Sequence, residues 1–221
     1  MSSDPGSVVI PAYQAEATIR VLVQAVRRLG WPVIVVDDAS SDRTGQEAQA
    51  GGARVLRRPV NGGKGAALRD GWAEALRLNS RWIMTLDADG QHIPSEIPRF
   101  LEVMEKERAD LVVGNRMGDP RGMPWERRWT NRFMSWLISR VIHQKIPDTQ
   151  CGFRLITRRV LEKVRLVSEH FEIDSELVIR ARQAGFKVRS VPVTSIYRRE
   201  ISFIHPVRDA FRFLRFIRHF F

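Results

Sequence analysis

Cysteine is almost missing from this 221-residue chain: Cys151 stands alone. No internal disulfide can form, and a reducing compartment is the natural home for such a sequence. Long apolar runs are missing too. No stretch approaches the roughly 18 uninterrupted apolar residues of a spanning helix, so membrane contact is expected to be peripheral or to come through an integral-membrane partner. The opening Met1-Ser-Ser-Asp-Pro-Gly6 has no basic region and no apolar core, so it does not read as a secretory signal. Acidic residues are in deficit, 25 against 36 Lys and Arg, which leaves a net charge of +11. That surplus attracts polyanions: nucleic acid, an anionic lipid surface or phosphorylated substrates. Arginine far outnumbers lysine, which favours forked recognition of phosphate. No nucleic-acid-binding motif is visible, and the arginines are interleaved with aromatic and aliphatic bulk, so nucleic acid is set aside.

What is present suits a single domain, since 43% apolar residues can fill one sizeable core. Short β-branched runs alternate with amphipathic stretches. Strands are expected at Val8–Ile10 (stopped by Pro11), Val33–Val36, Ala53–Leu56, Trp82–Leu86, Leu111–Val113 and Lys187–Val193. Helices are expected over Thr18–Arg28, Ser41–Ala50, Lys64–Leu78, Pro94–Arg108, Trp125–Gln144, Arg158–Val164, Phe171–Ala184 and Pro206–Phe221. This alternation implies an α/β fold, a mainly parallel central sheet with helices on both faces. Ligands collect outside the carboxyl ends of strands in such sheets, and two acidic clusters fall there.

The sharper cluster is Thr85-Leu-Asp-Ala-Asp-Gly-Gln-His92. Asp87 and Asp89, two residues apart at a strand end, can share one Mg²⁺ or Mn²⁺, with Gln91 as a further hard oxygen ligand. A polar turn before the next helix is the plain alternative. In Val36-Asp-Asp-Ala-Ser-Ser-Asp-Arg-Thr44, Asp37 and Asp38 could accept hydrogen bonds from a nucleobase and its ribose, or merely shape a turn capped by Ser40 or Ser41. Asn61-Gly-Gly-Lys-Gly65 opens a helix like a phosphate cradle but lacks Walker spacing, so ATP hydrolysis is not supported.

Together with Val9-Ile-Pro-Ala-Tyr13 and Glu16, these ordered motifs resemble family 2 glycosyltransferases of the GT-A fold, with Gln14 and Ala39 standing where the family usually has Asn and Gly. Asp148-Thr-Gln-Cys-Gly-Phe-Arg154 and Gly114-Asn-Arg116 are similar to segments of the polyprenyl- and dolichyl-phosphate hexose synthases within that family. The resemblance implies a donor site of Pro11, Tyr13, Glu16, Asp37, Asp38, Lys64 and Asp87, and a metal held by Asp87, Asp89 and Gln91. Asp89, Arg116 and Arg132 would be catalytic. Arg116, Arg132, Ser135, Arg154 and Arg199 would hold the acceptor phosphate. The family's R-x-x-x-S pair falls on Asn131 and Ser135, with Arg128 and Arg132 close by.

A lipid monophosphate is a dianion near neutral pH, so it needs cations rather than a general base. A hydroxyl acceptor would need a base, and Asp174 or Glu176 in Phe171-Glu-Ile-Asp-Ser-Glu-Leu177 could supply one. The stretch Pro206–Phe221 puts Arg208, Arg212, Arg215 and Arg218 on one stripe beside a wide apolar face, as an interfacial helix would. Trp125, Trp129 and Trp136 with their neighbouring arginines suggest a second one. The expected organisation is a GT-A domain over residues 1–200, with a donor half to about 118 and an acceptor half from about 119 to 200. A membrane-interface helix would follow at 201–221. The expected protein is an inverting hexosyltransferase, peripheral at the cytoplasmic face, that uses UDP-glucose or GDP-mannose and a polyprenyl phosphate. A transferase with a hydroxyl acceptor, a sugar-1-phosphate nucleotidyltransferase and a non-catalytic membrane-binding protein are the alternatives.

Overall fold

The computed structural model describes residues 5–120, 122–197, 212, 213 and 215–220. The β-branched runs form strands β1 (Gly6–Ala12), β2 (Val33–Asp37), β3 (Arg54–Arg57), β4 (Trp82–Thr85) and β5 (Leu111–Asn115). Two more follow, β6 (Arg154–Thr157) and β7 (Val188–Pro192). They join one sheet in the order β3-β2-β1-β4-β6-β5-β7. All pairings are parallel except those of β6, which runs antiparallel to both β4 and β5. Val33–Asp37 is buried at every position, as a parallel strand covered on both faces must be.

The covering helices are α1 (Ile19–Arg28), α2 (Thr44–Ala50), α3 (Lys64–Arg77), α4 (Ile97–Glu107), α5 (Trp125–Val141), α6 (Arg158–Lys163) and α7 (Glu172–Gln183). In α1, Ile19, Leu22, Val23 and Val26 recur at helical spacing and are buried against the sheet. Close approach needs glycine in two places. The Trp82 ring fills the space a Cβ at Gly6 would take, and Val9 and Val36 do the same at Gly71, where α3 lies on β1 and β2. Burying Trp82 adds roughly 3 kcal/mol of hydrophobic stabilisation.

The chain runs from β1 outward to β3 and then returns to β4 on the other side of β1. A crevice therefore opens between the carboxyl ends of β1 and β4, where this topology places ligands. Register brings the two acidic clusters to it: Ala12 lies opposite Asp37, and Val9 opposite Thr85.

Three local expectations differ from what is observed, and a fourth falls mostly outside the described residues. β1 runs through Pro11, which pairs with Val36. The helix expected from Pro94 opens as a 3-10 turn at Pro94–Glu96 before α4. β6 was not foreseen, because Leu155 and Ile156 belong to a four-residue strand too short for its period to show. The helix expected over Pro206–Phe221 lies largely outside the described residues. Within the described part, Phe213 and Ile217 are buried against the domain, while Arg215 and Arg218 are exposed.

Candidate active site

The Asn61–Gly65 turn ties the two acidic clusters together. Asp38 accepts hydrogen bonds from the Gly62 and Gly63 amides (3.0 and 2.8 Å) and pairs with Arg58 at 2.5 Å. One residue later, the Lys64 ammonium lies 2.7 Å from Asp87 Oδ1 and 2.8 Å from Asp174 Oδ2. The Gly65 and Ala66 amides donate to the Glu169 carbonyl. The turn is therefore not the phosphate cradle expected of it, because the amides at the start of α3 are already used by Asp38 and Glu169. Asp38 is likewise engaged on both oxygens and shapes the loop. Asp37, fully buried, accepts from Ser40 N (2.9 Å) through Oδ1, while Oδ2 faces Arg57 at 3.2 Å and makes no hydrogen bond.

The β1 and β2 loops are stapled to each other. Gln14 binds Ser40 and Ser41, Ala15 N donates to Thr44 Oγ1, and Glu16 accepts from the Arg43 amide. Ser40 thus braces the Gln14 loop instead of capping α2, and Glu16, expected in the donor pocket, holds Arg43 in place. Pro11 and the exposed ring of Tyr13 stand at the end of β1, beside this staple. Gln14 and Ala39, the two departures from the family motif, both adopt left-handed backbone (φ 52° and 59°). Asn and Gly are the residues that tolerate this region best.

At the end of β4 the two carboxylates differ. Burial alone would push Asp87 up, but Lys64 and then His92, with Nε2 3.7 Å away, hold it well below the usual range. Asp89 is pushed up, first by burial and then by the negative charge of Asp87. Its Oδ1 accepts from Gln91 N (3.0 Å), and no cation pairs with it among the described residues. A carboxylate raised by a like neighbour in an oxygen-rich setting suits a hard divalent ion. No group of three or more acidic, His or Cys ligands exists among the described residues, so the remaining ligands would have to come from substrate and water, as is common for Mg²⁺. Gly152 backs Asp87 closely, since any Cβ there would strike its carboxylate, and Thr85 Oγ1 donates to the Gly152 carbonyl (2.8 Å).

On the other flank, Arg116 forks onto Asp148 (Nε–Oδ2 2.8 Å, Nη2–Oδ1 3.0 Å), both nearly inaccessible. Burial would raise Asp148, but Arg116 overrides it and keeps the carboxyl low. Nη1 lies outside that fork. Nothing local in the sequence signalled Asp148 as its partner across 32 residues. Ser135 binds Thr149, accepting from its amide at 2.9 Å. Two expected acceptor-phosphate residues stand elsewhere. Arg154 is 1% exposed and donates to the carbonyls of Cys151, Thr149 and Asp174, so it braces the 148–154 loop. Arg132 is exposed on α5, whose inward residues are Asn131, Ser135 and Ile138. Arg199 lies outside the described residues. Burial pushes the Cys151 thiol up to about 12, so it is inert.

Over residues 7–165 the chain matches the family model described as glycosyl transferase family 2. The polyprenol monophosphomannose synthase of Mycolicibacterium smegmatis is 33% identical over 205 residues, covering 85% of this chain and 76% of that protein. The dolichyl-phosphate beta-glucosyltransferase of Trichomonas vaginalis is 30% identical over 223 residues, covering 86% of this chain and 66% of that protein. Among solved structures, glucosyl-3-phosphoglycerate synthase from Mycobacterium tuberculosis with Mn²⁺, UDP and phosphoglyceric acid superposes with a TM-score of 0.76. That match has 21% identity and covers 99% of this chain and 77% of the other, which speaks for the fold.

Proposed function

The chain belongs to glycosyl transferase family 2, and from that premise we propose that it moves a hexose from a nucleotide sugar to a polyprenyl phosphate, with inversion, at the cytoplasmic face of a membrane. It is a glycosyltransferase of the GT-A fold; the donor, acceptor and location are our reading.

The observation that carries the acceptor is the state of the two carboxylates that could have served as a base. Asp174 is held by Lys64 (2.8 Å) and faces Arg154 Nη2 at 3.5 Å. Glu176 is fully buried, accepts from the Val167 and Ser168 amides and pairs with Arg180 at 2.7 Å. Neither is placed to take a proton from an attacking hydroxyl. A phosphate acceptor requires none: its oxygen bonds to the anomeric carbon while the bond from that carbon to the β-phosphate breaks. The electron pair leaves with the nucleoside diphosphate, and no proton moves.

In this scheme Pro11, Tyr13 and Asp37 receive the nucleoside, and Asp87 and Asp89 hold Mg²⁺ or Mn²⁺ with the donor diphosphate. Such an ion would offset the charge that builds on the leaving diphosphate. Arg116, oriented by Asp148, offers Nη1 to the acceptor phosphate.

Peripheral attachment is supported by α5. Trp125, Trp129, Phe133 and Trp136 are 69, 69, 54 and 53% exposed and fall on one side of the helix. No helix among the described residues is long and apolar enough to cross a membrane.

The test is a radiolabelled panel of UDP-glucose and GDP-mannose with Mn²⁺ or Mg²⁺ and short polyprenyl phosphates. We expect label in the organic phase. Transfer only to water-soluble hydroxyl acceptors would overturn the acceptor assignment.

A further inference from the structure

Two carboxylates, Asp87 and Asp174, flank a lysine, and a third, Asp89, stands near enough to Asp87 to feel its charge. Lys64 Nζ is within 2.8 Å of two of the three. Its side chain is 13% exposed, and Asp174 is itself steadied by Arg154. An ammonium so placed is a resident cation in the position where a metal would seek oxygen ligands.

We propose that Lys64 is a built-in counter-ion that makes the site refuse a free divalent cation and admit one that arrives on a nucleoside diphosphate. This inference rests on the donor-site reading above and adds a role for Lys64 and Asp174 that the reading does not contain.

A bare divalent ion that approaches Asp87 must compete with an ammonium already in hydrogen-bond contact, and it adds its full charge beside Lys64. A cation carried by a diphosphate arrives with that charge largely offset, and the phosphate oxygens supply the ligands that Asp87 does not yield. Asp174 then retains Lys64 next to the diphosphate. It is a positioning residue, acting through the lysine and not on the sugar. The geometry also explains why Asp174 carries no base function: its charge is committed to Lys64.

The test is Mn²⁺ binding to the full chain, followed by the electron paramagnetic resonance of free Mn²⁺, with and without UDP or GDP. Wild type should bind free Mn²⁺ weakly and gain at least about tenfold with nucleotide. Lys64→Met should bind free Mn²⁺ about tenfold more tightly than wild type, with the gain from nucleotide reduced. Asp174→Asn, which leaves Lys64 with Asp87 as its carboxylate partner, should instead weaken nucleotide-assisted Mn²⁺ binding about tenfold. If Lys64→Met does not fold, the Asp174→Asn result decides: unchanged nucleotide-assisted binding overturns the proposal. Equal affinity of wild type and Lys64→Met for free Mn²⁺, with nucleotide assistance intact, overturns the role of Lys64 and leaves the donor site standing. Absence of nucleotide-assisted binding in wild type overturns both.

Discussion

Asp89 is half-buried and Asp148 fully buried, and their surroundings pull the two carboxylates in opposite directions. Asp89 is raised by burial and by Asp87, so in the metal-free protein its ionised form costs stability at neutral pH, and that cost is relieved as pH falls through its raised pKa. Asp89→Asn should therefore leave metal-free stability unchanged or slightly higher, by thermal melting, while transfer falls at least about a hundredfold. Unimpaired transfer at matched metal concentration would remove Asp89 from the site. Asp148 is held low by Arg116, so its contribution is present above the ordinary carboxylate range and disappears as pH falls through the depressed value. Asp148→Asn strands a buried guanidinium and should cost about 3 kcal/mol in urea unfolding at neutral pH, with the deficit shrinking in acid. Ala39 presents a different case, since its φ of 59° is strained for any residue with a Cβ. Ala39→Gly should stabilise the fold by about 1 kcal/mol in the same measurement. The motif in which Ala39 replaces glycine was legible in the sequence, but the left-handed backbone behind that preference was not.

Elements were read from the sequence in proportion to how far their period extends. The helix at Ile19–Arg28 and the apolar run Val33–Val36 of β2 announce themselves, whereas Arg154–Thr157 offers four residues and no period, although it inserts antiparallel between β4 and β5. The existence of α5 was legible, but its phase was not. Its tryptophans and arginines suggested an interfacial helix, yet which side faced inward depended on Ser135 meeting Thr149 in a loop 14 residues on. That contact turns Asn131 in and leaves Arg132 exposed. It also leaves Trp125, Trp129, Phe133 and Trp136 outside, with Phe133 and Trp136 stacked 6.1 Å apart and Arg140 5.3 Å from the Trp136 ring. A surface role for this stripe makes a discriminating prediction. Replacing Trp129 and Trp136 together by Ser should change stability by less than about 0.5 kcal/mol, because both rings are more than half exposed. Association with anionic vesicles in a sedimentation assay should fall about tenfold. A large loss of stability with unchanged vesicle binding would make α5 a packing element instead.

At the scale of the molecule, the β-α alternation was enough to foresee a parallel sheet with acids at one edge, because both features are local. What joins them was not foreseeable, since Lys64 meets Asp174 across 110 residues, and sequence spacing does not report such a pairing. The same holds for the surplus of charge: +11 was plain from composition, but its function depends on where the arginines end up. Arg116 and Arg154 are buried in internal networks, so the part that acts at a distance comes from surface residues such as Arg132, Arg140, Arg215 and Arg218. A surface field is screened by salt, whereas internal pairs and inserted aromatic rings are not. Raising ionic strength from about 0.05 to 0.5 M shortens the screening length from roughly 14 to 4 Å. Wild-type binding to phosphatidylserine vesicles should then drop about tenfold or more, while the melting temperature scarcely moves. The residue left at high salt should be the share carried by the α5 rings, and it should vanish in the Trp129 and Trp136 double variant. If salt leaves binding intact in wild type, the basic surface is not what brings this protein to a lipid face.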